Sequence, residues 1–117
     1  VPYPGLWMLD LRAPAIDGNA TSGFSMSGAH INVFSTGRGS PMGNAVMPCL
    51  KLTGNPKSYE EMKSLFDFNA GVVLEGTPIN EAGKALLENV IEIANGIETK
   101  SEINGDFEFI IPRENNR

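Results

Sequence analysis

The sequence predicts an α/β domain with a mainly parallel sheet, arranged in three layers in a Rossmann-like manner. Three observations carry that expectation. Short apolar runs that read as strands alternate with segments of three- and four-residue apolar spacing that read as helices. The first of those runs is nearly continuous, the mark of a strand covered on both faces. Glycine, proline and asparagine punctuate the junctions. At 117 residues the chain has the length of one domain with its own core.

Each element follows in order. Leu6-Trp7-Met8-Leu9-Asp10-Leu11 reads as a first strand, with Asp10 and Arg12 at its end and a loop through Pro14, Asp17 and Gly18 behind it. Asn19 is placed to cap a helix over 20–30, whose small residues form helix weakly but allow close packing. Residues 31–34 and 47–53 are the second and third strands, with Cys49 and Lys51 alternating against Leu50 and Leu52. Gly54-Asn55-Pro56 ends the third and opens an amphipathic helix through Tyr59, Met62, Leu65 and Phe66. Asp67-Phe68-Asn69-Ala70-Gly71 reads as a short fourth strand, which 72–76 either continues or turns away from. Pro78 opens the clearest helix, running to about Asn95, with Ala82, Ala85, Leu86, Val90, Ile93 and Ala94 as its buried stripe and Gly96 as its stop. A polar stretch precedes a last strand over 107–111. The expected division is a linker remnant over 1–5, the domain over 6–111 and a charged tail over 112–117.

Composition removes several classes. A net charge of −5 argues against a nucleic-acid partner, which calls for a basic face. Mean hydropathy of −0.13 and the absence of any run of spanning length argue against a membrane. The single cysteine, Cys49, forms no internal disulfide and fits a reducing cytoplasm. The start, Val1-Pro2-Tyr3-Pro4-Gly5, has no initiator methionine and reads as a cut in a Pro-rich linker, so the expectation is a piece of a longer polypeptide.

The chain is organised around Ser35-Thr36-Gly37-Arg38-Gly39-Ser40-Pro41-Met42-Gly43-Asn44, set between two apolar runs. Glycines allow close approach of a ligand to backbone N–H groups, and Arg38 adds a planar fork suited to carboxylate or phosphate. A plain solvent turn is the competing account of such a cluster. Two phosphate motifs are excluded. No lysine follows the glycines as a Walker loop needs, and Gly43 comes four residues after Gly39, with a strand and no helix behind it. In a parallel α/β sheet, ligands sit at the carboxyl ends of strands. That places Asp10, Arg12, the Thr36–Ser40 loop, Thr53-Gly54-Asn55 and Asn69 on one expected rim.

The segment Phe34 to Asn44, followed by Pro48, Lys51 and Gly54-Asn55-Pro56, resembles the C-terminal domain of the altronate/galactarate dehydratase family. Asp67 to Gly71 with Leu74-Glu75-Gly76, and Ala94-Asn95-Gly96 with Thr99-Lys100-Ser101-Glu102, also look like that family. The likeness runs from about Leu6 to Phe109.

The resemblance implies a lyase that eliminates water from a polyhydroxy carboxylate to give a 2-keto-3-deoxy acid, with sulfolactate sulfo-lyase as a sister activity. It also implies an upstream part of the same polypeptide, and a divalent metal held mainly there, Fe2+ first and Mn2+ or another divalent ion as alternatives. On that basis Arg38 and the backbone of Gly37 and Gly39 are expected to hold the substrate carboxylate, and Thr36, Ser40 and Asn55 its hydroxyls. Asp10, His30, Lys51 and Asn69 are expected to support them from behind. His30 reads more naturally as a structural residue and Cys49 as core, and no His/Cys/Asp/Glu cluster has metal-site spacing. Lys51 faces either the rim or solvent. The competing readings are a sulfo-lyase subunit and a non-catalytic domain binding an anionic metabolite; the fragment alone is expected to be inactive, and a homo-oligomer is left open.

Overall fold

The computed structural model describes residues 3–10 and 17–111; Val1, Pro2, Leu11, Arg12, Pro14 and the tail from Pro112 to Arg117 lie outside them. The elements are α1 (Asp17–Met26), β1 (Asn32–Ser35), β2 (Cys49–Thr53), α2 (Pro56–Glu61), β3 (Phe68–Asn69), a 3-10 turn (Ala70–Val73), α3 (Ile79–Ala94) and α4 (Lys100–Asn104). The α/β class is as the sequence predicts, with a sheet of three parallel strands in the order β1-β2-β3.

Central placement explains the composition of β2. Asn32 pairs with Cys49 and Ser35 with Leu52 on one side, while Leu52 pairs with Phe68 on the other. Cys49, Leu50, Lys51 and Thr53 are buried. Because the strands are parallel, their carboxyl ends share one edge, and Thr36, Gly54 and Ala70 emerge there together.

Caps set the helix ends. The Asn55 side chain accepts from the N–H groups of Lys57 and Ser58, and Pro56 occupies the first turn where its missing N–H costs nothing. α2 then stops at Glu61, short of the expected end, and Phe66 is buried (1% exposed) from the turn that follows. Gly96 ends α3 with φ 98°. The expected stripe of α3 holds in part: Ala82 and Ile93 are buried and Leu86 and Val90 half-buried, but Ala85 and Ala94 are exposed.

Where a polar connection was expected, α4 forms. Its cue is the pair Thr99 and Glu102, a capping box in which each side chain satisfies the other's backbone N–H. α4 lies against β2, with Ser101 Oγ donating to Cys49 O at 3.3 Å.

Three expectations are corrected, and one left open between two outcomes is decided. Residues 6–10 form no strand, and Leu6 and Met8 are fully exposed, because nothing among the described residues covers them. α1 begins at Asp17, so Asn19 lies inside it and is buried instead of capping it, and the helix ends at Met26, short of His30. Residues 72–76 turn away from the sheet, since Asn69 caps the 3-10 turn through Gly71 N. Residues 107–111 form no strand either; Phe107, Phe109 and Ile111 are exposed, and Ile110 N donates to Ser22 Oγ on α1.

Candidate functional site

The loop leaving β1 is built by its own side chains. Thr36 N donates to Leu52 O at 3.0 Å, continuing the ladder one residue past the strand. Thr36 Oγ1 accepts from Gly39 N at 3.2 Å, which curls the chain back on itself. Gly39 takes φ 95°, and an added Cβ there would crowd Met62 and Leu65 behind α2. Ser58 Oγ, from α2, donates to Gly37 O at 3.2 Å and ties the loop to the neighbouring rim element. Ser40 is buried, and its Oγ accepts from Met42 N.

This geometry leaves a defined set of donors. Among the described residues, the N–H groups of Gly37, Arg38 and Ser40 have no hydrogen-bond partner, and the exposed Arg38 guanidinium has no ion-pair partner. The Gly39 N–H is consumed within the loop, so its expected role as a ligand donor is corrected. Asn55 sits on the rim, but its Oδ1 is engaged as the α2 cap, which leaves its amide N–H2 for anything else. Asn69 is also on the rim, its Oδ1 likewise held by the backbone.

The remaining candidates separate. His30 precedes the amino end of β1, the opposite edge of the sheet, and is exposed. Asp10 is exposed and in no strand, and Arg12 lies outside the described residues. Lys51 faces the return limb of the rim loop from inside the core and not solvent. It is fully buried, donating from Nζ to Pro41 O at 3.2 Å and standing 3.7 Å from Asp106 Oδ2.

Below the rim, two buried polar groups are perturbed. Burial pushes the Cys49 thiol up to about 11, against the Lys51 charge and the Asn32 side-chain N–H that donates to its Sγ at 3.4 Å. A thiol so raised is a core group and not a thiolate nucleophile. Burial also raises the Asp67 carboxyl, outweighing the Lys51 and Lys100 N–H groups that its two oxygens accept and the charges of those lysines. An open cavity of about 520 Å³ lies beside β3, lined by Tyr59, Asp67, Phe68, Asn69, Val72 and Glu81 among others, and it touches Asn69 but not the loop. Sequence reasoning missed Ser58 and Asp106; the signals were a hydroxyl in the first turn after Asn55-Pro56, and an aspartate just after the α4 stop.

The fold and the rim define an α/β domain whose glycine loop is held open at the carboxyl edge of a parallel sheet. Comparison with known proteins then gives its kinship. A family model described as D-galactarate/altronate dehydratase, C-terminal, matches residues 1–116, and the chain belongs to that family. It is 35% identical over 111 residues to the beta subunit of (2R)-sulfolactate sulfo-lyase from Chromohalobacter salexigens, covering 94% of this chain and 28% of that one. Altronate dehydratase of Escherichia coli is 36% identical over 108 residues, covering 92% of this chain and 21% of that protein. Galactarate dehydratase (L-threo-forming) of Escherichia coli is 34% identical over 71 residues, 60% of this chain and 14% of that one. The chain thus spans between 14% and 28% of the length of these relatives, all of which are lyases.

Proposed function

We propose that this chain is the substrate-carboxylate-binding part of a sugar-acid dehydratase of the altronate or galactarate type. The observation that carries the reading is the loop itself, with three unpaired N–H groups and a free guanidinium on the carboxyl edge of the sheet. A proton leaving the carbon α to a carboxylate places charge on the carboxylate oxygens, and fixed N–H donors and a cation beside them lower that barrier. The hydroxyl on the next carbon departs, and the enol so formed becomes the 2-keto-3-deoxy acid. In this reading Arg38 and the N–H groups of Gly37, Arg38 and Ser40 bind the carboxylate, while the Thr36 hydroxyl and the Asn55 amide meet substrate hydroxyls. Asn69 stands on the same edge behind them.

No cluster of three or more His, Cys, Asp or Glu among the described residues is placed to hold a metal ion. We therefore assign the divalent metal, iron first, to the part of the polypeptide outside this chain. The same polypeptide supplies the base and the cover for the exposed apolar segments. No described helix is long and apolar enough to cross a membrane. With its buried thiol, the chain is placed by this proposal in the cytoplasm.

The sulfo-lyase reading is the second, favoured by the relative that covers 94% of the chain. Sulfolactate shares the 2-hydroxycarboxylate, and only the group leaving the next carbon differs, so the same loop serves both. The deciding experiment is turnover by the full-length polypeptide with altronate, galactarate and sulfolactate, with and without ferrous iron. Arg38→Ala is expected to lower kcat/KM on the accepted substrate by about 100-fold with the fold intact. Near-native turnover by that variant removes the role. No turnover of any substrate by the wild type, with an anionic metabolite still bound, moves the reading to a non-catalytic domain.

A further inference from the structure

We propose that Lys51 is the positioning residue of the rim loop, holding its return limb from inside the core. Among the described residues, Lys51 is the one charged side chain that is wholly buried (0% exposed). Its backbone is fixed on the central strand, with pairing on both sides. Its Nζ donates to the Pro41 carbonyl at 3.2 Å and stands 3.7 Å from Asp106 Oδ2. Asp106 is itself held by its N–H, which donates to Ser101 O at 2.9 Å on α4. Two residues after Pro41, Gly43 lies so close to the Asp106 backbone that a Cβ would collide with the Asp106 carbonyl. The return limb of the loop is therefore clamped between an ammonium and a backbone turn.

Packing alone does not account for a lysine here. An apolar side chain of similar volume fills such a position without desolvating a charge, and buried charges are commonly neutral or worse for stability than their apolar replacements. What the ammonium adds is a directed bond to the Pro41 carbonyl, one residue beyond Ser40. That bond fixes the end of the row of free N–H groups at Gly37, Arg38 and Ser40, whose other end is fixed by Thr36 N on Leu52 O. A loop pinned at both ends presents its donors preorganised, so binding does not have to order them. The effect of Lys51 on turnover rests on the carboxylate reading of that loop; its effect on loop order does not.

The test uses the full-length polypeptide and the bond after the exposed Arg38, which trypsin cuts faster the more the loop opens. In Lys51→Met, cleavage after Arg38 is expected to rise about fivefold relative to cleavage after Lys84, in the middle of α3. On whichever of the three acids the wild type accepts, KM is expected to rise about tenfold with kcat nearly kept. Cleavage at Arg38 and Lys84 rising in step, or neither rising, overturns the proposal. Should Lys51→Met fail to fold, Asp106→Ala decides. The Asp106 side chain is partly exposed, and its loss frees the ammonium from one partner. The same selective cleavage after Arg38, about threefold, is expected, and an unchanged ratio overturns the proposal. If the wild type turns over none of the acids, the carboxylate reading fails and the cleavage ratio still decides the role of Lys51.

Discussion

Replacing Asp67 with alanine removes two backbone hydrogen bonds at once. One carboxylate oxygen accepts from Lys51 N and the other from Lys100 N, each at 2.7 Å. The side chain thereby joins the central strand to the first residue of α4. Loss of the acceptor strands the Lys51 N–H, on a fully buried residue, at a cost of about 2 kcal/mol. The Lys100 N–H, on a half-buried residue, finds water instead and loses about 1 kcal/mol. The sum, about 3 kcal/mol, makes local opening about 100-fold more frequent. Hydrogen exchange of the full-length polypeptide reads it in peptides covering 49–53 and 100–104. Protection there within about a factor of three of wild type refutes the reasoning. Asp67→Asn keeps one acceptor and turns a donor toward the other N–H, so it falls between.

The same carboxylate has a pH signature of unusual sign. Burial raises its pKa above the ordinary 3.8 against the pull of the Lys51 and Lys100 N–H groups and charges. A carboxyl with a raised folded value holds its proton more tightly folded than unfolded. Between the ordinary and the raised values the folded state then binds more protons, so this group's contribution to stability falls as pH rises through that window. The difference in stability between wild type and Asp67→Asn is expected to shrink as pH climbs from below 3.8. A difference that grows with pH over that interval contradicts it.

Substitutions at three further positions test the frame. Gly43→Ala drives a Cβ onto the Asp106 carbonyl, with Ser101 Cβ at 2.9 Å, and is expected to cost about 2 kcal/mol, read as a lower Tm; an unchanged Tm removes the close approach. Asn55→Ala costs about 1 kcal/mol through the lost α2 cap, whereas Asn55→Asp keeps the cap but has no N–H to offer a substrate. Turnover equal to wild type in Asn55→Asp leaves Asn55 a cap alone. Thr99→Ala breaks the capping box of α4 and costs about 1 kcal/mol, seen as faster exchange at Glu102 N; exchange at the wild-type rate argues that α4 is held from elsewhere.

How much was legible follows from the range of each interaction. β1, β2, α2 and α3 were legible because their cues are local: a proline in a first turn, a glycine stop and short apolar runs. The arrival of the Thr36 loop, Asn55 and Asn69 on one edge was also legible, since it follows once the strands are parallel. The fate of individual side chains was not. Lys51 reads as facing either the rim or solvent, and only its partners Pro41 and Asp106 turn it into a buried tie. Asn55 looked like a ligand amide and Asn69 like a support behind it, and the backbone N–H groups just after them took their oxygens first. In both cases a long-range or backbone partner outcompeted the role that residue type alone suggested.

The two ends show why hydrophobicity reports a demand for cover and not a pairing. Residues 6–10 are as apolar as β2, yet Leu6 and Met8 are fully exposed, as are Phe107 and Ile111 for the most part. β2 is a strand because it has a neighbour on each side and α4 on a face; the ends have neither among the described residues. Exposed apolar chain of this kind is costly in water, at about 25 cal/mol for each Å² left uncovered. The family relatives are roughly three to four times as long as this chain, and the rest of such a polypeptide is the natural cover. In the full-length polypeptide the amides of residues 6–9 and 107–110 are therefore expected to exchange at least about tenfold more slowly than unstructured chain. Exchange at the unstructured rate in the whole polypeptide would mean that these segments are apolar for some reason other than burial within it.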